Sequence, residues 1–98
     1  MNEYITIKIT EEMLKGIKFN KKNDNLYETD IFYKLWDDQY AFLAKVIKDN
    51  GEIYYAMVIQ EEDWEDSYGI EGKTDEEVIS NLIGKKIFFV DTGFEGEE

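Results

Sequence analysis

Asp49-Asn50-Gly51 lies between two runs, residues 40–48 and 52–60, that are dense in Val, Ile, Tyr and Phe. No other feature constrains the fold as strongly. Gly51 supplies the left-handed conformation that a short hairpin loop needs, and β-branched and aromatic side chains suit a pleated, half-buried surface. The spacing predicts an antiparallel hairpin over residues 40–60.

Other elements follow from local pattern. Ile5, Ile7 and Ile9 alternate with Tyr4, Thr6 and Lys8, the period of a half-buried strand. Thr10 precedes Glu11, Glu12, Met13 and Leu14, a helix-start pattern that Gly16 limits to a short helix or turn. Residues 20–25 contain no apolar side chain and are expected to form a loop. Residues 31–36 are aromatic and β-branched and read as a strand, with Asp37, Asp38 and Gln39 as a turn. The alternative is a helix in which Phe32, Trp36, Tyr40, Leu43 and Ile47 share a face. Residues 61–73 read as an irregular acidic loop.

Thr74 and Glu77 form a capping box, Asp75 and Glu76 occupy the positive end of the following helix, and Val78, Ile79, Leu82 and Ile83 make its apolar stripe. The helix spans 74–84 and ends at Gly84. A short strand over 87–90 follows, and residues 91–98, rich in Gly and Glu, are expected to fray. The fold class is α+β: an antiparallel sheet of about five strands with one main helix packed on it, in a single domain over 1–98.

The chain has 98 residues, enough for one modest core and too few for two domains. Its 43% apolar content sets it apart from disordered acidic proteins. No apolar run reaches the roughly 18 residues that cross a bilayer, and residues 1–4 lack the basic-then-apolar pattern of a signal peptide, so a cytoplasmic protein is expected. There is no Cys and no His. Disulfides, zinc-thiolate sites and thiol nucleophiles drop out together, as do the usual general base and the usual metal ligand. No cofactor and no enzymatic activity are expected.

Charge is unevenly spread. Residues 1–60 hold 10 acids and 8 Lys, whereas 61–98 hold 13 acids and 3 Lys, within a formal net charge of −12. Nucleic acid and anionic lipid repel such a chain, and a basic partner is favoured.

Three motifs have a functional and a plain reading. Gly72-Lys73-Thr74 before a helix resembles the end of a phosphate-binding loop. However, Ser67 stands where the earlier Gly of that pattern belongs, and Asp75, Glu76 and Glu77 repel phosphate; a helix cap is the plainer account. Glu71-Gly72-Lys73 with Asp63 or Asp66 could be the metal-binding acids and Lys of a nuclease, yet with 23 acids in the chain such a triplet arises by chance. The acids of 61–66 could attract Ca²⁺ nonspecifically, without the spacing of a helix-flanked calcium loop.

The run Glu61, Glu62, Asp63, Trp64, Glu65, Asp66, Ser67, Tyr68 is the main candidate. Residues 61–77 hold nine acids and one Lys. As a solvated loop, its Trp tucks into the core. As an interface, its carboxylates occupy the sites where a nucleic-acid-binding protein expects phosphates, Trp64 and Tyr68 supply aromatic contacts, and Asp75, Glu76 and Glu77 form a second patch.

Residues 40–60, followed by Gly72, Thr74, Glu76, Glu77 and Asn81, resemble the strand-strand-strand-helix unit of HicB-like antitoxins, with their Gly-x-Thr-x-Glu-Glu run and a following Asn. The resemblance covers residues 40–84. The Pro-rich loop usual in that family is replaced by residues 61–68, and no C-terminal DNA-binding segment follows. It implies a protein that neutralises a small RNA-cleaving toxin.

The leading expectation is a non-enzymatic inhibitor that binds a basic nucleic-acid-handling protein, such as a nuclease, and blocks its groove, in the manner of phage anti-restriction or anti-CRISPR proteins. The alternative is an antitoxin or immunity protein.

Overall fold

The computed structural model describes residues 5–35, 39–62, 64–90 and 93–97, and for 5, 64, 89, 90 and 93–97 the backbone alone. In chain order the elements are β1 (Ile5–Lys8), a 3₁₀ turn (Glu12–Leu14), β2 (Asn20–Asn23), β3 (Leu26–Glu28), β4 (Tyr33–Lys34), β5 (Tyr40–Ile47), β6 (Ile53–Glu61), β7 (Trp64–Ile70), α1 (Asp75–Leu82), β8 (Lys86–Val90) and β9 (Gly93–Glu97). A six-stranded antiparallel sheet has the order β2-β3-β5-β6-β7, with β4 also paired to β5; a three-stranded sheet has the order β1-β8-β9. The architecture is α+β, with antiparallel sheets and a single main helix.

The central hairpin forms in the register Tyr40↔Gln60 to Ile47↔Ile53. At its tip the Gly51 amide donates to Lys48 O at 2.9 Å, with Gly51 at φ 88°. Asn50 Oδ1 accepts from the Glu52 amide at 2.9 Å. These local bonds satisfy backbone groups that the turn removes from the ladder.

The pleat then sorts side chains. Ala41 and Leu43 on β5, with Tyr55, Met57 and Ile59 on β6, face Ile7 and Ile9 from the β1 segment, Ile87 from β8, and Val78 and Leu82 from α1, in one buried cluster. The main core therefore lies between the large sheet on one side and α1 with the small sheet on the other. Phe42, Ala44 and Val58, with Leu26 and Tyr40, form a smaller cluster on the opposite face.

α1 begins as its capping box requires: Thr74 is extended at φ −131° and ψ 162°, and its Oγ1 accepts from the Glu77 amide at 3.1 Å. Past Leu82 the Gly84 amide donates to Ile9 O at 2.7 Å, tying the helix exit to the end of β1. Thr10 Oγ1 accepts from the Met13 amide at 3.2 Å, holding the 3₁₀ turn that the Thr-Glu-Glu pattern and Gly16 lead one to expect.

Two expectations need correction. Residues 20–25 are not a plain loop: Asn20–Asn23 form β2 against β3, with a bulge between Lys21 and Asn23. An edge strand needs no apolar side chain, and lysines there discourage further pairing. Residues 61–73 are not an irregular loop throughout, because Trp64–Ile70 form β7, which pairs with β6 from Glu61↔Trp64 to Tyr55↔Ile70. The expected antiparallel sheet of about five strands is present with six, and a second sheet adds three more among the described residues. Residues 93–97 pair with β8 from Val90↔Gly93 to Ile87↔Glu97; backbone pairing on a sheet edge does not depend on an apolar pattern.

Within residues 31–35 the extended alternative forms rather than the helix, with Tyr33↔Ala41 and Lys34↔Tyr40 paired, and Trp36 lies outside the described residues. Of the expected turn, Asp37 and Asp38 lie outside the described residues.

Candidate interaction surface

The acidic run is built into the β6–β7 hairpin, and the pleat divides it. Glu65 pairs with Gln60 and is exposed, on the face that also carries Ser67 and Gly69. Asp66 pairs with Ile59 and is half-buried, on the face where Tyr68 packs against the core and Ile70 is 7% exposed. Adjacent acids thus stand on opposite faces of the sheet at its edge strand β7. Asp66 Oδ1 accepts from the Ser67 amide at 2.9 Å.

Glu61 closes β6 and is half-buried. Its Oε2 accepts from Gln39 Nε2 at 3.4 Å. Gln39 is only 6% exposed, and its Oε1 has no hydrogen-bond partner among the described residues. Glu62 is exposed at the tip. Asp63 and the Trp64 side chain lie outside the described residues, so the placement of Trp64 as anchor or core belongs to the proposal below.

The second patch occupies the opposite end of β7. Six residue steps separate Trp64 from Ile70, which at about 3.3 Å each put the helix start roughly 20 Å from the hairpin tip. The structure does not merge the two patches.

Asp75 differs from its neighbours. Its Oδ1 accepts from Lys45 Nζ at 3.0 Å and from Tyr55 Oη at 2.5 Å, while its Oδ2 accepts from Lys45 at 3.3 Å. The Lys45 side chain is 16% exposed and its ammonium sits 4.6 Å from the Tyr27 ring centroid and 5.5 Å from that of Phe19. Burial pushes the Tyr55 phenol above its ordinary range, and the hydrogen bond to Asp75 and the charges of Asp75 and Glu76 push the same way. Asp75 is therefore committed to an internal network that fastens the first turn of α1 to the large sheet. Glu76 and Glu77 are exposed.

Lys45, Tyr55, Tyr27 and Phe19 were not singled out by sequence reasoning. The signal was present: Lys45 is the only charged residue in β5, in phase with the buried Ala41 and Leu43. A cation on a core-facing position needs a carboxylate partner.

Gly72-Lys73-Thr74 has a packing explanation. Gly72 has φ 154°, and a Cβ there would lie 2.5 Å from Val78 Cγ2 and 3.0 Å from the Val78 amide nitrogen. The glycine lets the chain pass close over α1, and Lys73 is exposed. Among the described residues no group of three or more acids is placed to hold a metal ion. No helix is long and apolar enough to cross a membrane, among the described residues.

Comparison of the chain with protein-family models, with curated proteins and with solved structures finds no match.

Proposed function

We propose that the protein is a non-enzymatic acidic inhibitor that binds a basic nucleic-acid-handling protein and occupies its nucleic-acid groove, in the manner of phage anti-restriction or anti-CRISPR proteins. The observation that carries this reading is the β6–β7 hairpin. Its acids stand on both faces of the edge strand β7 of the large sheet: Glu65 on one face, half-buried Asp66 on the other, and exposed Glu62 at the hairpin tip.

A sheet edge with acids on both faces and at its tip suits a cleft with cationic walls better than a flat surface. The net charge of −12 steers a basic partner toward the protein and repels competing polyanions. Asp63, Trp64 and Tyr68 complete the proposed contact, with Trp64 as its aromatic anchor, and Glu76 and Glu77 add long-range attraction from the far end of β7.

The test is a charge reversal. Glu62, Glu65 and Asp66 are replaced together by Lys, and inhibition is measured on the partner recovered by capture from host lysate. Loss of inhibition with an unchanged far-UV spectrum is the expected result; full inhibition by the folded variant overturns the reading. Trp64→Ala is expected to cost roughly 2 kcal/mol or more of binding.

The antitoxin alternative draws on the succession β5, β6, β7, α1 within the stretch that resembles HicB-like antitoxins. It predicts capture of a small RNase toxin and recognition that does not depend on a nucleic-acid groove.

A further inference from the structure

The 3₁₀ turn and α1 leave a groove between them, with a volume of about 690 Å³, lined by Thr10, Glu11, Glu12, Leu14, Lys15, Ile79 and Ile83. Its floor is apolar. Leu14 is 4% exposed, Ile79 is half-buried and Ile83 is 38% exposed, one of four large apolar side chains exposed among the described residues. The lip is mostly acidic: Glu11 and Glu12 are exposed on the 3₁₀ side, against Lys15 as the one cation among the lining residues. Along α1, Glu76 precedes Ile79 and Ile83 at spacings of three and seven residues, which places it on the same side of the helix, one turn beyond the groove.

We infer that this groove docks a short amphipathic segment of a basic partner protein, with apolar side chains on the Leu14–Ile79–Ile83 floor and Lys or Arg side chains facing Glu11, Glu12 and Glu76. The inference rests on the proposed function in taking the partner to be basic, and adds a contact site distinct from the acidic hairpin. The size is that of a ligand site. The mode is an amphipathic helix laid in a groove, read by side chains spaced three and four apart. Charge complementarity decides the occupant: a second copy of this chain would bring another net −12 to an acidic lip, whereas a cationic segment gains attraction at the rim and apolar burial at the floor.

The test is a two-dimensional NMR titration of the whole chain at about 0.15 M salt. Three synthetic peptides of roughly four helical turns are used: Leu/Lys in an amphipathic helical pattern, Ser/Lys in the same pattern, and Leu/Glu in the same pattern. The expected result is that Leu/Lys alone shifts Leu14, Ile79 and Ile83, and that Ile83→Glu weakens binding roughly tenfold, about 1.4 kcal/mol. The double variant Glu11→Lys with Glu12→Lys weakens it too, and far-UV spectra and melting confirm that both variants fold. Equal shifts by Ser/Lys, or equal binding of Leu/Glu, overturn the groove. So do shifts confined to Glu61, Glu62, Glu65 and Asp66, which would leave the hairpin reading standing, and groove shifts that appear when the protein alone is concentrated, which would make the occupant a second copy. Loss of inhibition on hairpin reversal is a separate readout, so failure of either idea is seen without the other.

Discussion

Lys45 and Asp75, 30 residues apart in sequence, meet at 3.0 Å where the first turn of α1 crosses β5, and Tyr55 donates to the same carboxylate. This contact holds the only helix among the described residues on its sheet. The Asp75 side chain is 38% exposed, so solvent screens part of the attraction, and the pair is worth less than a fully buried one. Asp75→Ala leaves Lys45 under two aromatic rings without its carboxylate. The expected cost is roughly 1–2 kcal/mol in urea unfolding. Lys45→Met with Asp75→Ala should recover part of that loss, because both charges leave together.

Tyr55 makes this network sensitive to high pH. Its folded pKa lies above the ordinary 10.0 because of burial and then Asp75. The unfolded chain releases the phenolic proton first, so its contribution is fully present below pH 10.0 and is lost as pH rises beyond it. While the folded state keeps the proton, the loss is about 1.4 kcal/mol per pH unit. Tyr55→Phe should flatten the decline of stability above that pH, measured by chemical unfolding across the alkaline range. An unchanged slope would show that other groups dominate.

Gly72 is expected to be the least replaceable glycine described. A Cβ at Gly72 meets Val78 side chain and backbone, whereas at Gly51 and Gly84 it meets nothing within 4 Å. Gly72→Ala should cost about 2 kcal/mol or more from overpacking and backbone strain together. Gly84→Ala should cost about 1–2 kcal/mol from the left-handed conformation alone. Thermal unfolding of the two variants side by side checks the order.

The two acidic patches should act independently. They stand roughly 20 Å apart along β7, beyond the distance at which substitutions usually couple. Reversal of Glu62 and Glu65 and reversal of Glu76 and Glu77 should therefore change binding energy additively within about 0.5 kcal/mol. Isothermal titration of the two double variants and their combination measures this.

Much of the fold was legible where composition and spacing agreed. The Asp49-Asn50-Gly51 hairpin, the Ile5-Ile7-Ile9 strand and the Thr74 cap all appear where local chemistry puts them, because each is specified by residues within one or two turns of chain. β7 was hidden because Asp66 interrupts the alternation of Trp64, Tyr68 and Ile70, and Glu65, Asp66, Ser67 and Gly69 read as loop. β2 and β9 are edge strands stabilised by backbone pairing, which leaves little trace in side-chain pattern. Of the candidate site, the residues were legible but their sidedness was not. It depends on the register Glu61↔Trp64, a long-range property of the ladder. The engagement of Asp75 required knowing that Lys45 and Tyr55 lie beside the helix start.

The acidic hairpin is tested most directly by capture of its partner from host lysate at low salt and at about 0.5 M salt, where the screening length falls to about 4 Å. The predicted result is a basic nuclease or other nucleic-acid-binding protein, held at low salt, released at high salt and displaced by DNA or RNA. A partner that stays bound at high salt and ignores nucleic acid would contradict groove mimicry.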